Sequence, residues 1–141
     1  MEFIKLNYGW NADPNSPAQL IKIKGTDLLL SFYMNHYIYE AYSEDDLGVL
    51  TFHNCIQFRQ GSLNDEGFFV YGGDKYKPHG IIWGEFYRIV GVDWKNSFYD
   101  PIYIDNDSYV DDFNHYLFYF RDNDFECIAS SYDFHISKRR P

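Results

Sequence analysis

Aliphatic side chains are scarce in this chain of 141 residues, with 9 Leu, 12 Ile, 5 Val and only 4 Ala. A helical bundle draws heavily on Ala, Leu and Glu, so that fold class is excluded. No run of about eighteen apolar residues occurs, which leaves no candidate for a membrane-spanning helix. Cysteine is rarer still. Cys55 and Cys127 stand far apart, each inside an apolar run. They form no recognisable disulfide framework and are expected to be small buried hydrophobes rather than a disulfide or redox pair. The signatures G-x-x-x-x-G-K-[ST], G-x-S-x-G, H-E-x-x-H and C-x-x-C are all missing, so nucleotide, metal or nucleophile chemistry by those devices is not expected, and no cofactor is assigned.

Positive charge is the other shortage. Twelve Lys and Arg face 21 Asp and Glu, a formal net charge of −9. Three of the cations are Lys138, Arg139 and Arg140 in a tail expected to fray, so the body carries −12. Nucleic acid and anionic lipid bind through dense positive charge and are not expected partners. A basic protein partner would be attracted. The N-terminus shows no basic segment followed by a long apolar stretch, so a cytoplasmic protein with reduced thiols is the expectation.

What the chain has in quantity is aromatic rings: 14 Tyr, 13 Phe and 3 Trp, more than all its branched aliphatics. Disordered chains lack such residues. Period-two alternation runs through most of the sequence, the mark of half-buried strands. Residues 20–24 and 28–35 flank the turn signal Gly25-Thr26-Asp27 and predict a hairpin, with Leu28, Leu30, Phe32 and Met34 on one face. Residues 36–42 read as a continuation of that strand after a bend, and Ser43-Glu44-Asp45-Asp46 as a loop or one short helical turn. Residues 49–59 read as a single strand with Leu50, Phe52, Ile56 and Phe58 facing the core. Residues 68–71 read as a short strand and 81–92 as a long one interrupted by Gly84 and Gly91. Residues 115–121 and 124–136 predict a final hairpin about Asp122-Asn123, pairing Phe118 with Cys127 and Arg121 with Asp124. The fold class is therefore all-β with at most one short helix: a single-domain antiparallel β-sandwich or partly closed barrel.

Chemistry-bearing residues are dispersed. The acidic stretch beginning at Asp105 lacks the glycine and the final glutamate of a calcium-binding EF-hand loop and reads as a solvated loop. His53 and Cys55 lie two apart on one predicted strand face. That spacing suits a pair of metal ligands or a thiolate–imidazole couple, or simply a histidine and a half-buried thiol. Trp10, in a segment rich in Asn and Pro, is expected to plug the end of the fold rather than form a binding rim.

The candidate functional patch combines the polar loop 61–67, carrying Asn64, Asp65 and Glu66, with the strand face of Trp83, Glu85 and Tyr87 and with Arg59. If their strands adjoin, these residues form an aromatic platform with charged groups suited to a protein, peptide or sugar. The plainer reading makes Glu85 an exposed carboxylate and Trp83 and Tyr87 packing residues. A small, acidic, aromatic-rich β-protein resembles in kind the toxin-neutralising immunity proteins, although no motif carries that likeness. The expected function is non-enzymatic engagement of a protein partner through an acidic, aromatic face. The alternatives are a small-ligand or glycan module, including a hydrolase using Glu85 with Asp65 or Glu66, and a homodimer joined through the second aromatic face.

Overall fold

The computed structural model describes residues 2–62, 80–91, 112–120 and 123–141. Nine strands run in chain order: β1 (Glu2–Lys5), β2 (Leu20–Lys24), β3 (Asp27–Tyr33), β4 (Leu47–His53), β5 (Gln57–Ser62), β6 (Glu85–Val90), β7 (Asn114–Tyr119), β8 (Asn123–Ala129) and β9 (Ser131–Ser137). They form two antiparallel sheets, one of four strands in the order β2-β3-β4-β9 and one of five in the order β1-β6-β7-β8-β5. The sheets pack face to face and do not close into a barrel, so the molecule is an all-β sandwich. The predicted strand at 68–71 lies outside the described residues.

The first hairpin forms as its pattern dictates. Lys24 pairs with Asp27 across a two-residue turn, Gly25-Thr26, in which Gly25 takes φ +63°. Leu28, Leu30, Phe32 and Met34 are fully buried, on the face that alternation assigned to them.

Beyond Asn35, strand geometry stops. The Asn35 side chain accepts a hydrogen bond from the Tyr37 amide (3.2 Å), and its carbonyl accepts one from the Tyr39 amide (3.2 Å). These local bonds turn 36–42 into successive turns instead of the expected strand. Ser43 and Asp46 close the following loop through reciprocal contacts: the Ser43 amide donates to the Asp46 carboxylate and the Asp46 amide to the Ser43 carbonyl.

The expected single strand at 49–59 is two strands in different sheets. Asn54 sits at φ +50°, a left-handed conformation that Asn tolerates better than most residues, and the chain breaks there. The expected strand at 124–136 breaks in the same way at Ser130. These two breaks are one feature. His53 pairs with Ser131 and Gln57 with Ile128, so residues 54–56 oppose only 129–130. A bulge of one residue thus bends an antiparallel ribbon out of one sheet and into the other. Asn54 Nδ2 donates to Ser130 Oγ (3.2 Å), and Ser130 Oγ donates to the His53 carbonyl (3.0 Å), which pins the corner. As a result Ile56 and Phe58, expected in the core, lie 39% and 43% exposed along an edge strand.

The final hairpin keeps the expected faces but not the expected pairing. Phe118 pairs with Phe125, Tyr116 with Cys127 and Tyr119 with Asp124. The register differs by two residues, which preserves every face because side chains alternate with period two. Phe120 thereby leaves the ladder and drops into the core, stacked on Phe118 at 4.3 Å. Arg121, the expected partner of Asp124, lies outside the described residues, and Asp124 is fully buried.

The strand expected at 81–92 is shorter, because Gly84 adopts φ +88° and the chain turns before β6. A Cβ at Gly84 would also stand 3.2 Å from the Ala12 carbonyl oxygen, so glycine is required there twice over.

Rings fill the space between the sheets. Trp10 enters the core from the N-terminal segment and stacks on Phe134 at 3.9 Å with 6° between planes. The C-terminal residues make side-chain contacts with the body of the fold. Lys138 Nζ lies 2.5 Å from Asp46 and 3.3 Å from Asp45, and Arg140 donates to the Ser31 hydroxyl and the Ala18 carbonyl, each at 2.7 Å. These contacts tie the tail down across the four-stranded sheet.

Candidate functional site

Arg59, Glu85 and Tyr87 do share one face, the outer face of the five-stranded sheet. They are not neighbours, because β7 and β8 separate β6 from β5. Reading across the ladders, one row runs Glu85, Tyr119, Asp124, and the next runs Tyr87, Leu117, Glu126, Arg59. A third contains Ile89, His115 and Ile128. Except for half-buried Arg59, every one of these side chains is at most 6% exposed. The face expected to meet a partner is therefore buried, with Phe3 and Ile81 packed on its apolar part.

Four of the predicted residues, Arg59, Trp83, Glu85 and Tyr87, fall within the described residues. Glu85 accepts hydrogen bonds from Asn7 Nδ2 and Asn11 Nδ2 (2.9 Å for Asn11) and lies 3.4 Å from Lys5 Nζ. Asn7 in turn accepts from the Phe86 amide (2.9 Å) and donates to the Trp10 carbonyl (2.7 Å). The carboxylate is thus an anchor that seats the segment bearing Trp10. Tyr87 packs in the buried layer, and its hydroxyl accepts a hydrogen bond from the Ile82 amide (2.9 Å); burial raises its pKa. Trp83, in the turn before β6, is half exposed. Asn64, Asp65 and Glu66 lie outside the described residues.

Sequence reasoning missed the pair at the centre of this face. His115 and Glu126 hydrogen-bond to each other, with side chains 1% and 2% exposed. Burial pushes the Glu126 pKa up, while the neighbouring His115 and the charge of Arg59 act in the opposite direction. The signal was present as Glu126 alternating with Ile128 and Leu117 on one predicted face, an acid among apolar residues.

His53 and Cys55 do not form a couple, because the turn at Asn54 separates them. His53 instead bridges three strands of the four-stranded sheet, with Nε2 2.6 Å from Asp133 and Nδ1 3.4 Å from Asp27. The Asp133 hydrogen bond raises the His53 pKa, partly offset by desolvation and reinforced by Asp27. Among the described residues no cluster of three or more His, Cys, Asp or Glu is arranged to hold a metal. Cys55 faces a groove of 240 Å³ between the β2–β3 turn and β5, walled by Ile23, Leu28, Ile56 and Phe58.

At the far end of the sandwich three segments lie side by side. The Ala12 amide donates to the Gly84 carbonyl (3.0 Å) and the Asn35 amide to the Asn11 carbonyl (2.9 Å). Gly84 and Asn35 thus both bond to the backbone of Asn11 and Ala12. Ile82, Trp83, Tyr37 and Ile38 are 63%, 50%, 63% and 66% exposed. Glu40, Glu44 and Asp45 are exposed on the loop that carries Tyr37 and Ile38. No protein-family model, curated protein or solved structure matches the chain.

Proposed function

We propose that the chain is a non-enzymatic binding protein that engages a basic protein partner through the acidic, aromatic loop at residues 36–46. The observation that carries this reading is the exposure of Tyr37 and Ile38 on a loop held in shape by Asn35, Ser43, Asp46 and Lys138. A large apolar group that is already ordered loses little entropy on binding and makes an efficient anchor. The carboxylates of Glu40 and Glu44 would steer a cationic surface toward it, in line with the net charge of −9. Trp83, half exposed, adds a ring at the same end. Burial of Glu85, Tyr87 and their neighbours leaves that part of the sheet face little surface to offer, which favours this end for the proposed contact. Neutralising the cationic domain of a toxin in the cytoplasm is one role that suits such a surface.

Affinity purification from the source cells tests the reading, comparing the wild type with Tyr37→Ala/Ile38→Ser and with Glu40→Gln/Glu44→Gln. The apolar variant is expected to weaken the recovered complex by about tenfold or more. The charge variant is expected to slow association and reduce its salt dependence. A partner held equally by all three proteins would refute the assignment of this loop.

A further inference from the structure

Two thiols distant in sequence meet at the corner where the ribbon changes sheets. Cys55 is half-buried and opens onto the groove between the β2–β3 turn and β5. Cys127, on β8, is fully buried behind it, and Cys55 packs on the core cluster that contains Cys127. The backbone enforces the approach, since the Ile56 amide donates to the Ile128 carbonyl (2.9 Å) and Phe58 pairs with Cys127. The Cys55 thiol donates a hydrogen bond to the Gln57 carbonyl (3.5 Å), and the two thiols lie near enough to shift each other's ionisation. No disulfide joins them.

We infer that Cys55 and Cys127 form a hydroperoxide-sensitive dithiol, in which Cys55 is the sulfur oxidised from the groove and Cys127 the sulfur that converts it to a disulfide. The two thiols differ in access, which decides the sulfur that meets the oxidant first. Cys55 has access to solvent, and the neighbouring Cys127 thiol lowers its pKa. Cys127 has no access, and burial holds its proton firmly. The groove sets the Asp27 carboxylate beside Ile23, Leu28, Ile56 and Phe58, so it admits a small neutral oxidant better than an anionic one.

The Cys55 thiolate attacks the outer oxygen of the hydroperoxide. An S–O bond forms, the O–O bond breaks, and the alcohol or water leaves after taking up a proton. Cys127 sulfur then attacks the sulfenic sulfur. The S–S bond forms, the S–O bond breaks, and hydroxide departs as water with the Cys127 proton. The two thiols together lose two electrons, and the peroxide gains them. The bond would staple the corner shared by β4, β5, β8 and β9.

Equimolar hydrogen peroxide added to the native protein, followed by intact mass, thiol titration and peptide mapping, tests this. The wild type is expected to lose both thiols and about 2 Da, with a Cys55–Cys127 linked peptide that dithiothreitol reverses. Cys127→Ala is expected to stall at a sulfenic acid on Cys55 that dimedone traps. Cys55→Ala is expected to leave Cys127 unreacted. Should Cys127→Ala fail to fold, the wild-type peptide map and Cys55→Ala still decide the matter. Unreacted thiols, sulfinic acid on Cys55 beside an intact Cys127 thiol, or Cys55–Cys55 dimers between chains would each overturn the inference.

Discussion

Replacing Trp10 with Ala asks whether the N-terminal segment belongs to the core or merely lies on it. The indole is 8% exposed, stacked on Phe134 at 3.9 Å, with Phe32 at 5.8 Å and Phe118 at 6.3 Å. Phe134 and Phe32 belong to one sheet and Phe118 to the other, so the ring touches both layers. Phe32 and Phe118 are packed on each other at 4.7 Å, which limits collapse into the vacated space. Truncations of this kind cost about 3–5 kcal/mol. A domain has about 5–15 kcal/mol in total, so Trp10→Ala should remain folded in the cold while losing a large share of its stability. For a chain of this length the melting temperature should fall by about 10–20 °C. Urea unfolding followed by far-ultraviolet circular dichroism measures the loss directly, with an unchanged dependence on urea as the check that the unfolded state is the same. Trp10→Phe keeps a ring against Phe134 and should lose less. A loss below about 1 kcal/mol for Trp10→Ala would refute the reasoning, since that is the range of surface substitutions.

Gly48→Ala should destabilise by about 1–3 kcal/mol, because the new Cβ would stand 2.7 Å from Met34 Sδ and 2.7 Å from Phe32 Cε2 inside a packed core; thermal melting reads this, and an unchanged melting point would count against the packing described. Glu126→Ala leaves His115 buried without its carboxylate and should cost about 3–5 kcal/mol by chemical denaturation; a cost under about 1 kcal/mol would mean the pair is solvated. His53 has a folded pKa above its ordinary value of about 6.5, so its bond to Asp133 stabilises fully below that pH and the contribution vanishes as pH rises through the raised value. Both side chains are well exposed, so Asp133→Asn should cost under about 1 kcal/mol on the acid side and nothing on the alkaline side; the opposite pH trend in parallel denaturation series would show the sign to be wrong.

Much of the fold can be read from alternation alone. The faces of Leu28 to Met34 and of Tyr116 to Phe120 follow from period two, and so does the all-β class. The breaks at Asn54 and Ser130 do not, because alternation continues through both corners while the strand passes from one sheet to another. Only the bulge of 54–56 against 129–130 and the left-handed Asn54 mark the change, and neither has a periodic signature. The pairing of the last hairpin escaped for a related reason. A shift of two residues leaves every face as it was, so hydrophobicity cannot distinguish the registers. At the candidate site, residue type was legible and depth was not. Glu85 and Tyr87 were found on one face with Arg59, but their burial depends on contacts from distant parts of the chain. Tyr37 and Ile38 were taken for strand residues because the sequence does not show that Asn35 turns the backbone first.

The shared corner also bears on how the chain is made. His53 waits for Ser131, and Lys5 for Tyr87, so neither sheet is complete until most of the polypeptide exists. The four-stranded sheet lacks β9 until residues 131–137 have been made. Such dependence on remote pairing slows folding and leaves ring-rich edges uncovered in the meantime. A growing chain thus stays open at this face until residues 131–140 arrive, and Lys138 and Arg140 then clasp the sheet they land on.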